Sequence, residues 1–220
     1  MRSVLLPNLS PNPAMMADMD TDNTSISTEA ASEGGPGPGY DEAAEEAEEC
    51  ARLLVRRGFT SFETAVQEVA HEFGDRLPAA RARNIVEDVW EEAVRALRTA
   101  AGPTDNDRLD SVFRELRKSG IEALQDFSCC QTCALDAIAP SGDRDRGYVF
   151  YHGQDTDRAI GGGGLMLSYG AFGGDEEAAT AIGREVVGLI GEAGLTAHWG
   201  GDPGKRIEIS PMNWLRRLPG

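Results

Sequence analysis

At Gly102-Pro103 the spacing of apolar residues changes, and that change limits what the chain can fold into more than any single motif does. Before it, apolar residues recur every three or four positions, the period of a helix with one buried face. Phe62, Ala65, Val66, Val69, Ala70 and Phe73 form the clearest stripe, opened by the capping box Thr60-Ser61-Phe62-Glu63 and followed by Gly74. A second stripe, Ala82, Ile85, Val86, Val89, Trp90, Ala93 and Leu97, comes after Pro78, which suits a first helical turn. Upstream, the acidic run Asp41 to Glu49 turns basic at Arg52, Arg56 and Arg57, the polarity a helix macrodipole favours, and Gly58 is placed to end it. Three amphipathic helices joined by short loops over residues 40–101 predict a small three-helix bundle.

Gly102-Pro103-Thr104-Asp105-Asn106 is turn chemistry, and the domain boundary is expected there. Over residues 105–220 helical and strand-like patterns alternate. Leu109, Val112, Phe113 and Leu116 predict a helix stopped by Gly120. Ile121 to Phe127 reads as a strand, followed by a cysteine-bearing turn and a short helix to Ile138. Gly147 to His152 and Leu165 to Tyr169 are rich in the aromatic and branched residues that strands prefer. Asp175 caps a helix with Ile182, Val186 and Ile190 on one face, and two strands, Leu195 to Trp199 and Arg206 to Ser210, close the chain. Without the leading helix and the last strand, the order is β-α-β-β-α-β, so an α+β fold of the ferredoxin-like, split type is expected.

Charge separates the start of the chain from the rest. The formal net charge is −16, and residues 1–50 hold eleven of the 37 acids against Arg2 alone. Residues 1–39, rich in Pro, Ser, Gly and Asp, have too little apolar surface to repay the entropy of ordering and are expected to be a disordered acidic leader. Their three consecutive apolar residues before Pro7 are short of a secretory signal core, which predicts a cytoplasmic protein. No apolar run approaches the roughly 18 residues of a membrane span. Arg206, Arg216 and Arg217 cluster near the C-terminus, but no basic stripe with interleaved aromatics appears, so nucleic acid is not an expected partner.

Two short motifs carry candidate chemistry. Ser128-Cys129-Cys130-Gln131-Thr132-Cys133 follows a strand and opens a helix, a position that favours thiolate, and the Cys130-x-x-Cys133 spacing lets two sulfurs meet across one turn. The cluster suits a redox pair or part of a tetrahedral zinc site, for which His152 is the expected fourth ligand beside Cys129, Cys130 and Cys133. A single CxxC without a second such pair is a weak metal signal, and buried cysteine often serves only as a small hydrophobe. The second motif, His152-Gly153-Gln154-Asp155-Thr156-Asp157-Arg158, gathers an imidazole, an amide, two carboxylates and a guanidinium. His152, Gln154, Asp155 and Arg158 are candidate binding residues for a polar ligand or a protein partner. The structural alternative has Asp155 capping a helical turn while Arg158 pairs with an acid. Gly161 to Gly164 precede a strand, not a helix, and lack a following Lys, so they predict close backbone approach rather than a phosphate cradle.

From Asp107 to Trp214 the chain resembles an uncharacterised bacterial family catalogued as a domain of unknown function. The resemblance rests on Phe127-Ser128-Cys129-Cys130-x-x-Cys133, Gly147-Tyr148-Val149-Phe150-Tyr151-His152-x-Gln154-Asp155-Thr156 and Gly162-Gly163-Gly164-Leu165-x-Leu167-x-Tyr169-Gly170. It implies that both motifs belong to one domain type and that the setting is bacterial, in keeping with 19 Arg against 2 Lys. It transfers no catalytic residue. With no complete catalytic constellation in view, the expected function is that of a non-enzymatic binding or regulatory protein. The alternatives are a thiol-redox or zinc-binding protein and, more remotely, a hydrolase using Asp155 or Asp157.

Overall fold

In the computed structural model, which describes residues 39–142 and 146–219, helices form where the first apolar stripes place them. These are α1 (Tyr40–Arg57), α2 (Phe62–Phe73) and α3 (Ala79–Thr99). Helix α1 ends on Gly58, whose φ of 76° lies in the left-handed region that suits glycine. Ser61 rather than Thr60 caps α2, its hydroxyl accepting the backbone N–H of Thr64. Ala43, Ala47, Ala51 and Val55 of α1 pack with Val66, Val69 and Phe73 of α2 and with Ile85, Val86 and Val89 of α3 in one apolar cluster. The small side chains of α1 set this packing, since the distance between helix axes follows the residues at the contact. The acidic leader expected over residues 1–39 lies, up to residue 38, outside the described residues.

The rest of the chain forms α4 (Asp105–Lys118), β1 (Ile121–Leu124), α5 (Gln131–Ala137), β2 (Gly147–Phe150), α6 (Gly153–Ile160), β3 (Leu165–Ala171), α7 (Glu176–Glu192), β4 (Ala197–His198) and β5 (Ile207–Ile209). Helix α4 opens on a reciprocal capping box between Thr104 and Asp107. The five strands make one sheet in the order β1-β2-β3-β5-β4. Leu165, Leu167 and Tyr169 alternate onto the face where α4 and α7 pack, meeting Leu109, Phe113, Ile182 and Val186. The fold is therefore α+β, with helices and a mixed sheet.

The sheet order departs from the split ferredoxin-like arrangement. That topology needs another strand between the two that flank the first helix, whereas β1 and β2 are parallel neighbours, Ile121 opposite Gly147 and Leu124 opposite Phe150. Residues 125–146, with α5, are long enough for a crossover between adjacent parallel strands. At the other end, the turn at Gly201–Gly204 brings β5, not β4, onto β3, with Leu165 opposite Ile209. The two-residue β4 is left on the outside. Element order alone is compatible with both topologies, because strand partners are fixed by non-local packing.

The C-terminal segment then ties the start of α4 to the end of α1. Asn213 and Leu215 donate backbone N–H groups to the side chains of Asp105 and Asn106, and the Trp214 indole donates to the Arg56 carbonyl at 2.8 Å. The basic cluster expected near the C-terminus is dispersed. Arg216 pairs with Asp110 and lies 4.1 Å over the Phe59 ring, Arg217 pairs with Asp107, and Arg206 turns to the sheet.

Candidate functional site

After β1 the chain bends through Asp126 (φ 49°) and Ser128 (φ 66°), both in the left-handed region that costs an L side chain strain. Three hydrogen bonds hold this bend against the next motif. Phe127 N–H donates to the Tyr151 carbonyl at 2.9 Å, Gly153 N–H to the Ser128 carbonyl at 3.1 Å, and the Thr156 hydroxyl to an Asp126 carboxylate oxygen at 2.6 Å. The cysteine loop and the start of α6 are thus one support, a contact the sequence motifs do not specify.

The bend presents Cys129, Cys130 and Cys133 with their sulfurs within 4.8 Å of one another. All three are free thiols; Cys129 and Cys133 are exposed and Cys130 is half-buried. Cys130 occupies the N-cap of α5. The backbone N–H and thiol of Cys133, with the Cys129 thiol, favour its thiolate and hold its pKa below the ordinary range. The same hydrogen bonds, together with the negative charge of its neighbours, push Cys133 up to about 11. Sulfurs bonded to one zinc at roughly 2.3 Å lie about 3.8 Å apart in a tetrahedron, so this set needs only small rotamer adjustments to meet an ion. Exposed thiols of this kind fit a thiophilic metal better than the packing role that buried cysteine usually plays.

His152 does not join them. It is the N-cap of α6 and 5% exposed, with Nε2 3.1 Å from Asp155 Oδ2. Asp155, 4% exposed, also accepts the His152 backbone N–H at 3.2 Å and a hydrogen bond from Arg206 Nη2, which reaches the Met166 carbonyl at 2.8 Å as well. Burial pushes the His152 pKa down and Arg206 adds to this, while the carboxylates of Asp155 and Asp126 oppose them. A neutral ring that donates Nε2–H to Asp155 leaves Nδ1 as an acceptor, and Nδ1 is buried without a partner. The expected zinc set therefore divides into three clustered thiols and a separate buried His152–Asp155–Arg206 network.

The candidate binding set of His152, Gln154, Asp155 and Arg158 divides too. Gln154 and Arg158 are exposed, Arg158 pairing with Glu208 at 3.1 Å, whereas His152, Asp155 and Thr156 face inward. Asp155 does reach back to the N-cap backbone, but the N-cap is His152 and the helix begins at Gly153, three residues before the turn expected from the sequence. Asp157 forms a two-pronged pair with Arg57 of α1, at 2.8 and 2.7 Å. The glycine run behaves as close approach: a Cβ on Gly163 would lie 2.7 Å from Arg158 Cγ. Arg206, the cation of the buried network, is 51 residues from Asp155 in sequence. Its one sequence signal is alternation with Ile207 and Ile209, which places it on the polar face of β5 without naming its partner.

Fold and site together define an α+β protein that presents a three-thiol cluster beside a buried His–Asp–Arg network. Residues 40–218 match the model of the family described as Domain of unknown function (DUF6891), and the chain belongs to that family. The match spans every helix and strand of the described residues, so the helical segment and the sheet occur in the same domain type. No curated protein and no solved structure matches the chain. Among the described residues no helix is long and apolar enough to cross a membrane.

Proposed function

We propose that this is a cytoplasmic, non-enzymatic binding and regulatory protein whose working element is the cluster Cys129, Cys130 and Cys133, taking up one zinc ion as thiolates. The supporting observation is the approach of three solvent-reachable sulfurs to within 4.8 Å on a bend held by three hydrogen bonds. Three cysteines fill three of the four tetrahedral positions zinc favours, and the fourth is left to water, a small polar ligand or a side chain from a protein partner. Gln154, exposed one residue after the Gly153 contact to the cysteine loop, is the side chain we assign to meeting such a partner. Metal analysis of protein prepared without a polyhistidine tag tests this. One equivalent of zinc, lost in Cys130→Ser/Cys133→Ser, is expected; no uptake in competition with a chromophoric chelator refutes it.

The contrast between a lowered Cys130 and a raised Cys133 favours a second reading, thiol–disulfide exchange. In it the Cys130 thiolate attacks a small-molecule disulfide and releases one thiol. Cys133 then displaces the second, closing a Cys130–Cys133 disulfide, so that one disulfide is reduced as one forms. Metal-free protein that equilibrates reversibly with a thiol–disulfide buffer would select this reading over zinc.

A further inference from the structure

We propose that the cleft between α5, β2, β3 and the turn before β5 is a binding site for a small carboxylate. The proposal goes beyond the thiol reading and does not depend on it. Gln131, Tyr148, Ser168, Lys205 and Arg206 supply the polar lining of a space of about 110 Å3. That is room for a small polar ligand of several heavy atoms, an acetate group among them.

Two buried donors in this lining lack acceptors. Ser168 is 4% exposed and its Oγ has no hydrogen-bond partner. Arg206 uses Nη2 on Asp155 and on the Met166 carbonyl, and its Nε–H is buried without an acceptor. An unsatisfied buried donor costs about 1–3 kcal/mol, and native structures hold few of them. Two on one cleft point to an acceptor that arrives from outside.

The charge selects a monoanion. Among the described residues no acidic side chain lines the cleft, and the ammonium of Lys205, one of only two lysines in the chain, is in no ion pair. Asp155 balances Arg206, leaving close to one positive charge, which suits a carboxylate better than a doubly charged phosphate. Tyr148 adds a hydroxyl that burial keeps protonated and able to donate. Its place depends on Gly170, where a Cβ would lie 2.6 Å from the Tyr148 hydroxyl oxygen.

The test is a titration of the full chain with sodium acetate, followed by amide chemical shifts, with sodium chloride at matched ionic strength and inorganic phosphate as comparisons. Saturable shifts at Ser168, Gly204 and Lys205 are expected with acetate. Binding should weaken at least tenfold in Lys205→Gln and in Ser168→Ala. Lys205→Gln should melt as the wild type does, because it alters an exposed side chain, and Ser168→Ala should melt no lower, because it removes an unpartnered buried hydroxyl. Cys130→Ser/Cys133→Ser should bind acetate normally, which separates this site from the thiols. Shifts that follow ionic strength alone, tighter binding of phosphate, unchanged acetate affinity in both cleft variants, or loss of binding in the thiol variant would each overturn the proposal.

Discussion

Asp155→Asn tests whether the buried carboxylate holds the start of α6 to the sheet. Asp155 gathers the His152 backbone N–H, His152 Nε2 and Arg206 Nη2 on one oxygen, and its side chain is 5% exposed. The amide has nearly the same shape but no charge, and its NH2 group must face a donor from His152 or Arg206. A hydrogen bond to a charged group contributes about 1.5–3 kcal/mol net. Removing one partner of a fully buried pair costs about 3–5 kcal/mol. The Arg206 side chain keeps 23% of its exposure and its bond to the Met166 carbonyl, so the stranded cation stays partly solvated. We therefore expect a loss of about 2–3 kcal/mol, below the figure for a fully buried pair. For a domain of this size it lowers the melting temperature by about 4–12 °C. Urea unfolding followed by tryptophan fluorescence measures it. Arg158→Ala, which removes the exposed pair with Glu208, is the control and should cost about 0–1 kcal/mol. In the double variant Asp155→Asn/Arg206→Met the losses should fall short of additive by about 1–3 kcal/mol. If Asp155→Asn unfolds within about 0.5 kcal/mol of the wild type, like a surface change, the carboxylate is not the link argued for here.

Because burial depresses the His152 pKa, its contribution to stability is complete above the unfolded value near 6.5 and is lost as pH falls through the folded value. Urea midpoints should therefore fall between pH 7.5 and about 5, and His152→Gln should flatten that slope. Gly147→Ala should cost about 1–3 kcal/mol in thermal unfolding, since its Cβ would lie 2.2 Å from Ile182 Cδ1 and 2.3 Å from the Gly170 carbonyl oxygen. Shortening Ile182 relieves only the first of these contacts, so Ile182→Val should not restore Gly147→Ala. Thr156→Val removes the 2.6 Å bond to Asp126 and should cost about 1.5–3 kcal/mol, with faster hydrogen exchange confined to residues 126–130.

What could be read from the sequence is what is local. Val66, Val69 and Phe73 share a face because one helix puts them there, and Cys129, Cys130 and Cys133 meet because they flank and enter the first turn of α5. His152 and Asp155, three positions apart at the start of a helix, also fall within reach of local rules. The pairing of β1 with β2, and of Arg206 with Asp155, depends on how distant segments pack, and no period in the chain encodes it. His152 looked like a zinc ligand because imidazole is a good one. Its ring is instead drawn into the neighbouring network, where Asp155 and Arg206 surround it.

The left-handed residues of the cysteine loop connect these two outcomes. Asp126 and Ser128 each forgo about 1–3 kcal/mol relative to relaxed backbone, somewhat less for the aspartate. The bend they make returns the Ser128 carbonyl to the free N–H of Gly153, one of the donors a helix start leaves without an internal partner. The Asp126 carboxylate is returned to the Thr156 hydroxyl in the same way. Folding thereby offsets the strain with bonds on α6, and the three sulfurs are brought together before any ion or disulfide arrives. An unstructured three-cysteine loop would have to lose about 1–2 kcal/mol of backbone entropy per residue at the moment of binding. Here that ordering cost belongs to folding, so under the proposed zinc uptake, affinity would depend on α6 keeping its hold on the loop.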